Sequence, residues 1–143
     1  MTPELSVVIP MYNVEPFLDA CLGSLAAQKL GDLEIVVVDD GATDGSPRIA
    51  DEWSARDPRF RVLHRHNGGV GAARNAGIAV ARGRYLAFCD ADDVVPETAY
   101  AALVESLEET GSDLAVGDVR RFGSGGVRPY EGFGDVFARD LRR

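Results

Sequence analysis

The stretch YLAFCDADD, residues 85–93, ends an apolar run by setting down Asp90, Asp92 and Asp93 within four positions. Like charges this close repel and raise one another's pKa, so a fold that keeps them normally supplies a compensating cation. Asp90 and Asp92 stand two apart in extended chain, which places both side chains on one side of the backbone. A hard, oxygen-only donor set suits Mg2+ or Mn2+ rather than zinc. Mg2+ is usually held by one or two carboxylates together with substrate phosphates, so a divalent ion would let an acidic site carry a phosphorylated ligand. The plain alternative is a solvated acidic turn, with Asp93 favoured by the dipole of a following helix.

Three further segments carry candidate chemistry. Asp39 and Asp40 close the run LEIVVVDD; one of the pair can hold the GATDGS turn through Asx-type bonds, and the other is then free for a ligand. The run NGGVGAARN, residues 67–75, combines glycines that admit a close backbone approach, a helix N-terminus that offers N–H groups to an anion, and Arg74 on the first turn. It lacks GxGxxG spacing and follows the third strand, not the first, which counts against a dinucleotide site. The segment PMYN, with Pro10, Tyr12 and Asn13, follows the first strand. His64 and His66 flank Arg65 and read as solvent-exposed loop histidines, with His66 near a phosphate as the alternative.

These residues need a scaffold that gathers them. LSVVIP (5–10) and LEIVVVDD (33–40) are β-branched apolar runs without polar alternation, the pattern of strands covered on both faces. Between them Phe17, Leu18, Cys21, Leu22 and Leu25 make a stripe at helical spacing. Ser46 followed by Pro47 predicts an N-cap and a helix through Ile49 and Trp53 to about Arg56. FRVLHR is a less apolar third strand, expected nearer an edge. The next helix has a small-residue inner face, Ala73, Ala76, Gly77 and Val80, and Gly83 as its stop. RYLAFCD is a fourth strand; a helix with Tyr100, Leu103, Val104 and Leu107 inward ends at Gly111, and DLAVGDV (113–119) is expected to be a fifth strand. Alternating strands and helices predict an α/β fold with a doubly wound, mostly parallel sheet. In such sheets ligands sit outside the carboxyl ends of the strands, where all four candidate segments fall. Residues 1–119 are expected to form this domain. Residues 120–143, rich in Gly and Arg and including Arg120, Arg121, Arg128, Arg139, Arg142 and Arg143, read as an irregular tail with a short helix near Asp135 to Leu141.

Bulk properties narrow the classes. The 143 residues are 45% hydrophobic and 27% charged, ordinary for one globular domain that needs no metal or disulfide merely to fold. A formal net charge of -8 disfavours nucleic acid or an anionic membrane as partner. Cys21 and Cys89 lack CxxC spacing and read as reduced thiols of a cytosolic protein. No apolar run reaches the length of about 18 residues that spans a bilayer, and the start resembles no signal peptide, so the cytoplasm is the expected compartment, with inner-membrane attachment through a longer parent protein as the variant.

Taken together, LSVVIPMYNVEPFLDACLGSL, EIVVVDDGATDGS and NGGVGAARNAGIAVARGRYLAFCDADD resemble, in order and spacing, the nucleotide-sugar-binding half of the family 2 glycosyltransferases, which have the GT-A (Rossmann-like) fold. The resemblance covers about residues 5–119. It implies a metal role for Asp92 with Asp90 beside it toward the ribose or metal, a nucleobase contact for Asp40 with Asp39 adjacent, a base pocket lined by Pro10, Tyr12 and Asn13, and a place near the nucleotide for Gly69 and Arg74. It implies metal-dependent (Mn2+ or Mg2+), inverting sugar transfer from a UDP-linked donor to an acceptor glycan or polyol hydroxyl in cell-wall or surface polysaccharide synthesis. The opening segment also resembles the glycosyltransferase domain ahead of CDP-glycerol glycerophosphotransferase modules. The family's catalytic base comes from a later acidic motif, so it is expected beyond Arg143; the alternative is a donor-binding module without turnover. A homodimer through an exposed apolar face is a further expectation.

Overall fold

A computed structural model describes residues 2–121, 126 and 128–129. They fall into two compact units, Met1–Val104 and Glu105–Arg143. In the first unit, strands β1 (Leu5–Met11), β2 (Leu33–Asp39), β3 (Phe60–His64) and β4 (Tyr85–Phe88) alternate with helices α1 (Glu15–Ala26), α2 (Ser46–Arg56) and α3 (Val70–Val80). Helix α4 (Ala99–Thr110) runs across the boundary, and β5 (Arg120–Arg121) pairs antiparallel with β6 (Arg128–Pro129) in the second unit.

The four-stranded sheet is parallel throughout, in the order β3-β2-β1-β4. The two most apolar strands, β1 and β2, are therefore central, and the less apolar β3 is an edge, as its composition predicts. Alternation along the strands divides the core in two. Val7, Ile9, Met11, Ile35 and Val37 pack with Leu18, Cys21, Leu22 and Leu25 of α1 and with Ala50 of α2. Val8, Val36 and Val38 face Ala73, Ala76 and Val80 of α3. Each fully buried Val, Leu, Ile or Met side chain contributes about 1.5–3 kcal/mol.

The small face of α3 is a packing necessity. A Cβ on Gly77 would lie 2.3 Å from Val8 Cγ1 and 3.2 Å from Val38 Cγ2, so glycine sets how closely the helix approaches the sheet. Helix α3 ends at Val80, ahead of Gly83. Gly83 is not its stop: a Cβ there would meet the Ser6 amide nitrogen at 2.4 Å, so the residue serves the crossing over β1.

Three more expectations need correction. Phe17 is 55% exposed and leaves the α1 stripe to Leu18, Cys21, Leu22 and Leu25. Ser46 is the first residue of α2 after an N-cap at Gly45; its hydroxyl accepts the Val14 N–H at 3.0 Å, bracing the neighbouring loop. Residues 113–119 form no strand, because an apolar run becomes one only when a partner satisfies its backbone, and Leu114, Val116 and Val119 are exposed. The expected helix over Asp135 to Leu141 lies outside the described residues. Tyr100 and Val104 of α4 are buried, Leu103 and Leu107 half-buried, and Gly111 ends the helix as expected.

Candidate functional site at the carboxyl edge of the sheet

The parallel register brings the ends of all four strands of the first unit to one edge, and side chains stitch the loops that leave them. After β1, Asn13 adopts a left-handed conformation (φ 51°), which asparagine tolerates, and its Oδ1 accepts the Thr43 N–H at 2.8 Å from the loop after β2. Glu15 accepts the Gly45 N–H at 2.8 Å, and Asp44 accepts the Glu15 N–H at 3.0 Å. Tyr12 is about half exposed and Pro10 half-buried beside them.

Asp39 and Asp40 leave β2 on opposite faces and find different partners. Asp39 Oδ1 accepts the Ala42 N–H at 2.9 Å, the Asx-type bond expected of one member of the pair. Its Oδ2 lies 2.8 Å from Nδ1 of His64. Asp40, 3% exposed, turns to the glycine run: its carboxylate accepts the Gly68 N–H at 3.0 Å and the Gly69 N–H at 2.8 Å, with Arg65 Nη1 at 3.4 Å from Oδ1. Asp40 thus clasps the loop that opens α3. Two buried carboxylates in succession are matched by two successive basic side chains, His64 and Arg65, from the neighbouring strand end.

His64 is exposed, as expected, but ends β3 instead of lying in a loop. It stands in register with Asp39, and its Nε2 lies 3.0 Å from Asp51 Oδ1 on α2. The bond to Asp39 raises its pKa above the ordinary histidine range; burial opposes this, and Asp51 adds to the rise. The available signal was its place one strand across from a buried carboxylate.

After β4 the three carboxylates stand close together. Arg74, on the second turn of α3, donates from Nη2 to Asp90 Oδ1 at 3.0 Å and lies over the Phe88 ring. Its Nε is buried and without a hydrogen-bond partner. Asp92 is exposed and has no hydrogen bond or ion pair within the described residues. Burial, and then repulsion from Asp92 and Asp90, raises the pKa of Asp93. Among the described residues no three His, Cys, Asp or Glu side chains converge as a metal-binding group. Asp90 and Asp92 therefore fit a divalent ion only as the partial, carboxylate share of a coordination sphere completed by phosphate and water, the usual manner of Mg2+.

Helix α1 and the residue Gln28 just past it hold the chain that follows this acidic loop. Ser24 Oγ accepts the Val95 N–H at 3.0 Å, and Gln28 Nε2 donates to the Pro96 carbonyl at 2.8 Å. The Cys21 and Cys89 sulfurs lie 4.0 Å apart, both free and buried. The bond to Cys89, and burial, push the Cys21 thiol well above its ordinary pKa. Ser24 lies beside the apolar stripe of α1 and buried Gln28 two residues past its end, the one hint in the sequence of polar work on that side.

Residues 6–134 match the family described as Glycosyl transferase family 2. The chain belongs to this family. A glycosyltransferase of Bacillus subtilis, EpsJ, whose curated name calls it uncharacterized, is 46% identical over 114 residues, covering 80% of this chain and 33% of EpsJ. The chain thus spans about a third of that relative's length. The crystal structure of S. aureus TarS 1–349 in complex with UDP superposes with a TM-score of 0.80 at 27% identity, covering 92% of this chain and 40% of that TarS chain. The mannosyltransferase PcManGT from Pyrobaculum calidifontis, in complex with GDP-Man and Mn2+, gives 0.69 at 28% identity over 85% of this chain and 36% of its own. The α/β sheet described above is accordingly the GT-A fold of family 2. No helix among the described residues is long and apolar enough to cross a membrane.

Proposed function

We propose that this chain is the donor-binding part of a glycosyltransferase that takes its sugar from a nucleoside diphosphate, UDP foremost, for cell-wall or surface polysaccharide synthesis. The observation that carries the reading is the meeting of Arg74 with Asp90 beside an unpartnered Asp92, at the strand edge where Asp40 fixes the glycine loop. The UDP bound to TarS, across 92% of this chain, supports the choice of nucleotide.

In this reading Pro10, Tyr12, Asn13, Asp39 and Asp40 bind the nucleoside, Arg74 faces the diphosphate, and Gly69, whose N–H is given to Asp40, lets the nucleotide approach closely for want of a side chain. The unsatisfied Nε of Arg74 is a donor awaiting an anionic oxygen. Asp92 and Asp90 would hold a divalent ion, Mn2+ or Mg2+, whose contribution when bound is positive charge against the departing diphosphate. Arg74 orients Asp90 through its 3.0 Å bond, and Ser24 of α1 together with Gln28 just past the helix holds the chain that follows the acidic loop. The acceptor hydroxyl oxygen bonds the anomeric carbon as the bond to the diphosphate breaks, with inversion, and the hydroxyl proton passes to a general base outside the donor site.

Because the chain spans a third of EpsJ, a second reading stands beside the first: a donor-binding module that does not turn over alone. Incubation with UDP-sugars and Mn2+, following UDP release, tests both. Slow release of UDP supports the enzyme, nucleotide binding without release supports the module, and neither binding nor release refutes the proposed function.

A further inference from the structure

His64 has both ring nitrogens against carboxylate oxygens, Nδ1 at 2.8 Å from Asp39 and Nε2 at 3.0 Å from Asp51. A neutral imidazole has one N–H, whereas an ionised carboxylate only accepts. Both contacts are hydrogen bonds only when His64 is the imidazolium. In the neutral form one nitrogen lone pair would face an oxygen lone pair. The two anchors are unequal: the Asp39 side chain is 7% exposed and the Asp51 side chain 58%. Loss of the proton therefore releases the α2 arm through Asp51, and leaves buried Asp39 with a neutral donor beside Asp40.

The consequence reaches the candidate nucleoside site through Asp39 Oδ1, which caps the Ala42 N–H and so shapes the turn whose Thr43 N–H meets Asn13. We propose that His64 is a positioning residue for nucleotide binding: as the imidazolium it clamps Asp39 of β2 to Asp51 of α2 and holds the 41–46 turn in its binding shape, so that affinity falls when the proton is lost. This inference rests on the nucleotide-binding reading and adds to it a residue and a pH dependence. The charged groups around His64 are Asp39 on β2, Asp51 on α2 and Arg65 next in its own chain, and Arg65 is engaged with Asp40. The bond to Asp39 holds the proton on His64 to higher pH than in a free histidine.

The test is calorimetric titration of the full chain with UDP and Mn2+ from about pH 6 to pH 9, for wild type, His64→Gln and Asp51→Asn, with the His64 ring followed by NMR. The ratio of wild-type to His64→Gln affinity cancels titration of UDP and hydrolysis of the metal. That ratio should fall by about threefold to fivefold as pH rises through the His64 titration, the difference between a charged and a neutral hydrogen-bond donor. Asp51→Asn should move the midpoint of both the NMR titration and the affinity loss down by about half a pH unit, the share of an exposed ion pair. A ratio that stays constant while His64 titrates overturns the inference and leaves the nucleotide reading standing. An Asp51→Asn midpoint that does not move overturns it as well, and does so even if His64→Gln fails to fold. Failure of the wild type to bind UDP at any pH overturns the nucleotide reading itself, and this inference with it.

Discussion

Replacing Asp40 by Asn changes one oxygen to an amino group, at a site where the side chain is 4% exposed and can only be useful as an acceptor. The carboxylate accepts the Gly68 N–H at 3.0 Å and the Gly69 N–H at 2.8 Å, and faces Arg65 Nη1 at 3.4 Å. Hydrogen bonds to a charged group are worth about 1.5–3 kcal/mol each. Asparagine can keep one amide bond through its single oxygen. Its amino group must then face a second N–H or the Arg65 guanidinium, donor against donor. One charged bond and the ion pair are lost, so the expected cost is about 2–4 kcal/mol. With a urea slope of about 2 kcal/mol/M, the unfolding midpoint falls by about 1–2 M. Native-state hydrogen exchange should localise the effect, with the Gly68 and Gly69 amides losing protection before the amides of β1 and β2. An unchanged midpoint with unchanged exchange at those two glycines would show that Asp40 does not hold the loop.

Two further expectations follow from the other face and the other edge of the sheet. The Glu34 side chain is 3% exposed; burial alone would raise its pKa, but hydrogen bonds from Ser6, the Arg82 amide and the Arg61 and Arg82 guanidinium groups bring it down from 4.5 to about 2. A depressed pKa adds stability that is present above 4.5 and lost as pH falls toward 2: about 3 kcal/mol at neutral pH, absent from the acid unfolding profile of Glu34→Gln. Gly77→Ala sets the overpacking cost of a Cβ 2.3 Å from Val8 Cγ1, about 1–3 kcal/mol, against a helix-propensity gain of up to about 1 kcal/mol. Thermal unfolding should show a net loss, and a stabilised variant would mean that α3 can rise off the sheet at no expense.

What was legible in the sequence was whatever a local pattern forces. The β-branched runs of β1 and β2 could only be strands buried on both faces, and the small residues of α3 required a close approach that Gly77 makes literal. The acidic and glycine segments followed the strands, so their gathering at one edge came from topology alone. What escaped depended on partners distant in the chain. Residues 113–119 have a strand's composition, but nothing in composition says whether a neighbour will pair with them. Ser46 carries a capping residue's chemistry yet serves Val14, 32 residues earlier. Gly83 looked like a helix stop because the crossing over Ser6 is visible only in three dimensions. His64 read as a loop residue because its two carboxylates lie 25 and 13 residues away, on different elements. The same holds for Asp40, whose clasp on Gly68 and Gly69 is invisible until β2 and β3 are paired.

The most direct measurement of the donor site is calorimetric titration of the chain with UDP, with and without Mn2+, repeated on Asp92→Ala. If Asp92 and Asp90 hold a divalent ion that bridges to the diphosphate, wild type binds UDP more tightly with Mn2+ and the variant loses that gain while keeping its fold. Equal binding by wild type and Asp92→Ala, in the presence of the metal, would contradict the assignment.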